Sequence, residues 1–221
     1  HADHPTAIAT GGSGGPIHTV PAGTLKQGSF GLSFRVDYLD FDRFSDAELL
    51  RFGARGFETD STDWALSPSL NAAYGLTDSV TISLRLPYIY LDDIREPETG
   101  GVAFEGDAAG IGDLAGVAFF KLLESCDRTC QLSLFAGLEF PTGRTDDRTR
   151  EGARFELDHQ PGSGSWDPIV GLAISKAWDK LSIHANVGSL FITEGGQDTD
   201  LGDTFTYNLA LVYRLGGDHS H

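Results

Sequence analysis

Eight segments of this chain alternate apolar and polar residues, and the connections between them are alternately long and short. The last segment shows the pattern most clearly: Phe205, Tyr207 and Leu209 share one parity, while Thr206 and Asn208 share the other. Successive side chains of a β-strand point to opposite faces. Each segment therefore predicts a strand with one apolar and one mostly polar face, and the apolar face meets either a soluble core or lipid.

Seven of the segments have one clearly apolar parity, whereas in the fourth both parities are apolar. Each is close to the length at which a tilted strand crosses a bilayer. The predicted strands are Ser29–Phe41, Trp64–Leu76, Val80–Asp92, Gly112–Glu124, Gln131–Phe140, Asp167–Trp178, Leu181–Thr193 and Phe205–Leu215.

The lengths of the connections indicate that the apolar face of the sheet meets lipid and not a soluble core. The short ones are 76–79, 126–130 and 178–181, and the long ones are 41–63, 93–111, 141–166 and 194–203. Strict alternation places all short turns on one side of the sheet and all long loops on the other, as in outer-membrane barrels with periplasmic turns and extracellular loops. The predicted fold is an all-β, transmembrane, antiparallel up-and-down β-barrel, complete with eight strands or part of a larger one. A periplasmic N-terminal segment (1–27) precedes the barrel (28–215), and a polar, histidine-containing periplasmic tail (216–221) follows it.

Composition excludes several alternatives. No apolar run is long enough for a transmembrane helix. The chain begins at His1 without a basic and apolar leader, so we expect that any signal peptide has been removed. A formal net charge of −16 argues against nucleic acid and against an anionic lipid surface as partners. The long loops hold much of this acidity. They form either a solvated rim or a negative mouth that concentrates cations, and divalent ions bridging the loops to lipid phosphate are a further use.

Charged and amide side chains fall on the polar parity of several strands, where they are expected to line a lumen. Because unpaired charges are costly to bury, they form either an internal salt-bridge network that fills the barrel or a ladder that guides a polar or anionic solute. The predicted lumen-lining residues are Arg35, Asp37, Asn71, Arg85, Glu139, His184, Asn186, Asn208 and Arg214.

Histidines cluster near both chain ends, at His1, His4, His18, His219 and His221. Neutral imidazole is a common transition-metal ligand, so these residues are candidate sites for Cu, Zn or Ni, although terminal histidines can also be solvated without a role. No other cofactor is required.

Cys126 and Cys130 lie at a predicted strand–turn–strand position. A cross-strand disulfide in an oxidising compartment is one interpretation, and a pair of free thiols is the other. A zinc site is disfavoured because the sequence has no further cysteine and no nearby histidine.

A catalytic reading finds little support, and we predict that the protein is not an enzyme. His159 lies near Asp158, Ser163 and Ser165 in the third long connection, but the spacing matches no activated nucleophile. A loop histidine of this kind is expected to be solvated.

Several stretches resemble one family: GGSGGPIHTVPAGTLKQGSFGLSFR (11–35), SPSLNAAYGLTDSVTISLRLPYIY (67–90), GIGDLAG (110–116), EFPTG (139–143) and QPGSGSWDPIVGLAISK (160–176). Their order and spacing are similar to the outer-membrane proteins grouped as the "MetA-pathway of phenol degradation" family. The resemblance implies an outer-membrane barrel that passes small, often hydrophobic molecules, and it implies no catalytic residues. Similar proteins often continue into further strands, so the barrel either closes with eight strands or belongs to a longer chain.

Together these features predict passive passage or binding of a small molecule, with a hydrophobic one as an option. The expected partners are outer-membrane lipid and a small solute, with a periplasmic partner or an oligomer as further options. The alternative is a structural or interaction barrel whose histidine-bearing termini bind a transition metal or dock a partner.

Overall fold

The computed structural model describes residues 19–57, 59–127 and 129–213. These residues form nine strands, the helix α1 (Asp46–Gly53) and two short 3-10 turns, Leu157–His159 and Gly196–Asp198. The strands are β1 (Phe30–Asp40), β2 (Trp64–Thr77), β3 (Val80–Glu98), β4 (Gly101–Ile111), β5 (Leu114–Glu124), β6 (Cys130–Phe140), β7 (Asp167–Ala177), β8 (Leu181–Leu190) and β9 (Thr204–Tyr213).

All strands belong to one antiparallel sheet that curls into a half-barrel, so the predicted all-β class is confirmed. The order is β1-β2-β3-β5-β6-β7-β8-β9, and β4 pairs only with β3 outside this path. Each of the eight predicted segments corresponds to one strand of the path, in the predicted order. The last is described as far as Tyr213, while Arg214 and Leu215 lie outside the described residues.

The connection 93–111 is a hairpin instead of the irregular loop that the sequence predicted. Strand β3 continues past the start of β2 at Trp64, turns at 99–100 and returns as β4. The pairing of β3 with β4 shifts register between Leu91 and Ile94, where Asp93 has a φ of 54°. This irregularity breaks the alternation of side chains, and the sequence pattern therefore appeared to end there.

The apolar and polar parities lie on opposite faces of the sheet. On the outer face Leu209 is 76% exposed and Leu84, near the middle of the sheet, is 45% exposed. On the inner face Thr81, Ser83 and Ser133 are fully buried. The sheet therefore presents its apolar side outward and its polar side to the interior.

The centre of the inner face also holds an apolar core. The rings of Phe119 and Phe135 pack with centroids 5.8 Å apart, beside Val117 and Ile169. Gly171 makes room for this packing, since a Cβ there would lie 2.1 Å from Cζ of Phe135. The interior is thus partly filled by its own side chains.

Residues 19–25 also fill the interior by lying against the inner face, and residues 26–28, which are exposed, continue to the short-turn end. The Val20 N–H donates to Oδ1 of Asn186 (3.0 Å), and the Ala22 N–H donates to Oγ of Ser175 (2.9 Å). The Ser133 hydroxyl donates to the Ala22 carbonyl at 2.5 Å. Polar side chains of the inner face therefore hold the backbone of this segment.

The sheet that the described residues form does not close into a complete barrel. Within the described residues the hydrogen-bonded path ends at β1 on one side and at β9 on the other, and these two strands do not pair with each other. In that same part of the chain no helix has the length and apolar character needed to cross a bilayer.

The predicted disulfide is not confirmed, since both cysteines are free thiols in the structure. Cys130 begins β6 and lies opposite Ser125, whose N–H donates to the Cys130 carbonyl at 2.9 Å. Cys126 lies beyond this pair, in the exposed turn. The residue that faces Cys130 across this strand pair is thus Ser125 and not Cys126.

Candidate functional site

A row of paired residues crosses the inner face at the loop-side end of the sheet. In register across neighbouring strands it contains Asn71, Arg85, Ala115, Glu139 and Asp167. The small side chain of Ala115 separates Arg85 from Glu139, and the two charged groups interact electrostatically over it. Arg85 is only 6% exposed. A buried cation and an anion thus face the same interior space.

The other predicted lumen-lining residues also lie on the inner face, mostly toward the edges of the sheet. Arg35 and Asp37 form a salt bridge of 2.5 Å on β1. The His184 ring lies between the hydroxyls of Ser175 (2.8 Å) and Ser182 (3.1 Å).

Asn186 and Asn208 face each other across β8 and β9. That this inner-face set lines a passage stays a prediction. Arg214 and the five terminal histidines, His1, His4, His18, His219 and His221, lie outside the described residues.

Two small cavities meet at the charged pair. The loop-side cavity, about 60 Å³, is bounded by Arg85 and Glu139 below and by residues of the third loop (141–166) above. The inner cavity, about 30 Å³, lies on the other side of the pair and is lined by Val20, Phe119 and Phe135. Pockets that hold small molecules usually measure several hundred Å³, so both of these cavities are too small to hold such a ligand.

Two buried aspartates, which the sequence reasoning did not single out, anchor the third loop over the interior. The Asp113 carboxylate accepts hydrogen bonds from the Gly143 N–H (2.7 Å) and from the N–H and hydroxyl of Ser163 (2.6 and 2.8 Å). Asp167 accepts from the Ser165 hydroxyl (2.8 Å). Their presence in the stretches 110–116 and 160–176 that carry the family resemblance was the available signal.

The same contacts show how Ser163 and Ser165, which lie near His159 in sequence, are bonded. Ser163 and Ser165 bond to each other and to these aspartates, and among the described residues neither hydroxyl bonds to His159. A nucleophilic hydroxyl needs an adjacent base within hydrogen-bond reach. These serines are placed to hold a loop.

His159 is buried within the loops, and the expectation that it is solvated is wrong. Its side chain is 6% exposed, and its Nε2 contacts a carboxylate oxygen of Asp60 from the first loop (41–63). Its Nδ1 lies 3.7 Å from Oδ1 of Asp158 and 3.9 Å from Oε1 of Glu96, on the part of β3 that projects beyond β2. Asp60 and Glu96 are distant from His159 in sequence, so spacing along the chain gave no signal of this cluster.

Burial and the contacts within this cluster shift the pKa values of its members. Burial by itself lowers the pKa of His159, but the hydrogen bond with Asp60 and the charges of Asp158 and Glu96 raise it above its usual value. The same hydrogen bond lowers the pKa of Asp60. Burial, and next the charge of Glu156, raise the pKa of Glu96 to about 7. Negative charge is thus concentrated around one imidazole.

Comparison with protein families finds a match for most of the sheet. The model of the family described as "Putative MetA-pathway of phenol degradation" matches residues 86–220, which is more than half of the chain. The chain belongs to this family. The match runs from the middle of β3 through β9 and includes Asp113, Glu139, His159 and Asp167. A search of curated proteins finds no match. The family and the β half-barrel fold are compatible with an outer-membrane location.

Proposed function

We propose that this protein is a wall of an outer-membrane β-barrel that binds or passes a small, partly hydrophobic molecule. The observation that carries the proposal is the exposed apolar outer face combined with a buried, mostly polar inner face. On β9 alone, five outward side chains are each more than half exposed: Phe205, Tyr207, Leu209, Leu211 and Tyr213. Soluble monomers rarely expose so continuous an apolar surface, whereas acyl chains solvate it well.

The orientation follows from the connections. The short turns would face the periplasm, and the long acidic loops, with the β3–β4 hairpin, would lie outside the cell. The described part of the N-terminal segment enters the interior from the short-turn side, since the Gln27 N–H donates to Asp78 in the β2–β3 turn at 2.9 Å. Periplasmic chain ends are compatible with this arrangement.

The interior favours a solute with an apolar body and one polar group. The inner cavity places Phe119 and Ile169 beside Arg85 and Glu139, so a ring could contact the apolar residues while a hydroxyl reached the charged pair. Phenol has this chemistry, and it appears in the name of the family. No catalytic step is proposed for this site.

Passage requires movement, because the cavities of about 60 and 30 Å³ are too small for such a solute. Residues 19–28 are the natural gate, since they occupy the inner face through single hydrogen bonds such as that of Val20 to Asn186. Their withdrawal would open the space beside Phe135. The third loop forms a second barrier at the outer end.

Closure of the barrel is also required in lipid, where unpaired strand edges cannot be satisfied. The free edges of β1 and β9 must therefore pair, either with each other or with further strands. Pairing with each other gives an eight-stranded barrel, which its own side chains largely fill. Pairing with further strands gives a wider lumen.

The proposal is tested with protein refolded in detergent and placed in liposomes. We expect heat-dependent migration on gels, low conductance of the intact chain, and faster phenol entry after removal of residues 19–27. A variant with Leu209→Arg on the outer face should insert poorly, by about 2–4 kcal/mol for a midplane position, whereas Asn208→Arg on the inner face should insert. A chain that remains monodisperse in buffer without detergent would contradict the membrane assignment.

A second candidate function is a filled structural barrel that docks a partner through its termini, and the small cavities favour it. Conductance separates the two candidates. A filled barrel gives no current steps and no phenol entry even when residues 19–27 are absent, while membrane insertion is retained.

A further inference from the structure

Three separate parts of the chain meet at His159. The third loop supplies His159 and Asp158, the first loop supplies Asp60, and the projecting end of β3 supplies Glu96. Ligand atoms of Asp60, Asp158 and His159 all lie within 4.8 Å of one another. The cluster lies in the loops, apart from the charged row inside the half-barrel.

The Nδ1 atom of His159 is the informative group. Its side chain is 94% buried, as 6% is exposed, and among the described residues Nδ1 has no hydrogen-bond partner. Buried polar nitrogens are normally satisfied. The nearest carboxylate oxygens, on Asp158 and Glu96, lie at 3.7 and 3.9 Å, which is too far for a hydrogen bond. Nδ1 thus points into an acidic space without completing a contact there.

Taken one at a time, the two distances from Nδ1 are close to the separation of two ligands of one ion. Ligands bound to one tetrahedral Zn²⁺ at their usual bond lengths lie about 3.4 Å apart. The side chains of Asp158 and Glu96 are partly exposed and can rotate toward an ion bound at Nδ1, while the buried imidazole stays fixed.

The other ring nitrogen, Nε2, is held by a carboxylate, as is common in histidines that bind a metal. Nε2 of His159 contacts the Asp60 carboxylate. Histidines that bind metal through one nitrogen commonly donate the other N–H to a carboxylate, which fixes the tautomer and strengthens the ligand. Asp60 is therefore a positioning residue, and it leaves Nδ1 with its lone pair free to bind.

We propose that His159, Asp158 and Glu96 form a binding site for a divalent cation of the Zn²⁺ or Mn²⁺ type. One imidazole with two carboxylates favours such ions over Ca²⁺ and Mg²⁺, which prefer oxygen alone. A cavity of about 220 Å³, bounded by Asp60, Asp158 and His159, gives the ion a path from solvent and room for water as a further ligand.

A bound ion would join the third loop to the β3–β4 hairpin, and Asp60 of the first loop would hold the imidazole from its other side. Asp158 also borders the loop-side cavity above Arg85 and Glu139. Ion binding would therefore hold the third loop over the interior. The site itself does not depend on the proposed passage of solute, and its test needs no transport measurement.

The test uses the full chain in detergent, stripped of metal with EDTA, and titrated calorimetrically with ZnCl₂, MnCl₂ and CaCl₂. Asp158→Asn and Glu96→Gln change partly exposed side chains and should preserve the fold, which circular dichroism checks. Each should weaken binding of one Zn²⁺ by about tenfold or more, and Asp60→Asn by about 10–100-fold. Co²⁺ should show visible absorption bands with the wild-type chain that diminish in these variants.

The matched control is Asp146→Asn in the same loop, whose side chain is 80% exposed and pairs with Arg144. It removes the same charge and should leave zinc affinity unchanged. Replacement of the five terminal histidines by glutamine should leave this zinc equivalent in place. The proposal is overturned if the Asp158→Asn/Glu96→Gln double variant keeps every zinc equivalent at wild-type affinity, or if Ca²⁺ binds as tightly as Zn²⁺ and is insensitive to His159→Gln.

Discussion

The central strands and the edge strands of the half-barrel carry the same alternating pattern but differ in what covers their inner faces. In the centre, Phe119 and Ser133 are almost completely buried under the apolar core and residues 19–28. On the edges, inner side chains such as Ser33 of β1 and Thr206 of β9 are only half-buried. The strand pattern determines which way a side chain points, and the neighbouring segments determine whether it is buried.

The same contrast predicts which strands contribute most to the stability of the fold. Central strands have partners on both sides, an interior packing layer and loops that carboxylates anchor. Strands β1 and β9 each have one partner in the described structure. Matched substitutions should therefore be severe in the centre and mild at the periphery, and the following predictions test this from the largest effect to the smallest.

The largest effect is expected for Gly171→Ala in β7. The new Cβ would lie 2.1 Å from Cζ of Phe135 and 2.3 Å from the Val187 carbonyl oxygen, so both a ring and the backbone must move. We expect a loss of at least about 3 kcal/mol in the free energy of unfolding, or failure to refold. Urea titration of the refolded protein, followed by tryptophan fluorescence, measures it.

Gly101→Ala is the control, at the start of the peripheral strand β4. A Cβ there meets nothing within 4 Å. The free energy of unfolding should change by less than about 1 kcal/mol. Equal effects of the two substitutions would show that packing in the centre is not tighter than at the periphery.

A smaller loss is expected for Asp113→Asn, which weakens the anchor of the centrally placed third loop. The carboxylate accepts three hydrogen bonds, two of them from backbone N–H groups. Loss of its charge should cost about 2–4 kcal/mol and expose the loop to trypsin at Arg148. Limited proteolysis and urea titration report the two effects.

Its counterpart is Asp203→Asn in the loop that precedes β9. Asp203 is exposed and accepts one hydrogen bond, from the Ile192 N–H at 3.0 Å. The expected loss is below about 1 kcal/mol. If third-loop proteolysis is unchanged in Asp113→Asn, the aspartate does not anchor that loop.

The third prediction compares two asparagines that face each other across β8 and β9. Asn186 is buried and accepts the Val20 N–H, whereas Asn208 is half-buried at the edge. Asn186→Ala should weaken docking of residues 19–28 by about 1–2 kcal/mol, which corresponds to a 5–30-fold change in the undocked population. Hydrogen exchange of the Val20 and Ala22 amides should accelerate accordingly, while Asn208→Ala should leave the rate unchanged. Equal rates would mean that Asn186 does not hold the segment.

The fold was largely predictable because alternation is a local signal. All eight segments of the sheet path became strands in the predicted order, including the fourth, whose faces the sequence left open. The β3–β4 hairpin was missed because the irregular pairing around Asp93 interrupts the alternation. The docking of residues 19–28 was missed because it depends on contacts such as Val20 with Asn186, which are 166 residues apart.

The candidate sites were less predictable for the same reason. The alternating pattern placed Arg85 and Glu139 on the inner face. Their electrostatic interaction depends on the pairing of both strands with β5 at Ala115, which no local pattern encodes. The cluster around His159 was not predictable, because Asp60 comes from another loop. Carboxylates that fold a loop, such as Asp113, look in sequence like the solvated acids around them.

The smallest effect is expected when the protein, with its two free thiols in the turn between β5 and β6, is treated with a reductant. The Asp127 carboxylate accepts hydrogen bonds from the Ser125 hydroxyl (2.5 Å) and from the N–H (3.1 Å) and hydroxyl (2.9 Å) of Thr129, and these bonds lower the pKa of Asp127 to about 2. The turn is therefore closed without a disulfide. Dithiothreitol should change the free energy of unfolding by less than about 0.5 kcal/mol, and maleimide should label the exposed Cys126 of the folded, unreduced protein. An intact mass two hydrogens short, together with failure to label Cys126, would show that the turn closes covalently and that its geometry differs from the one described.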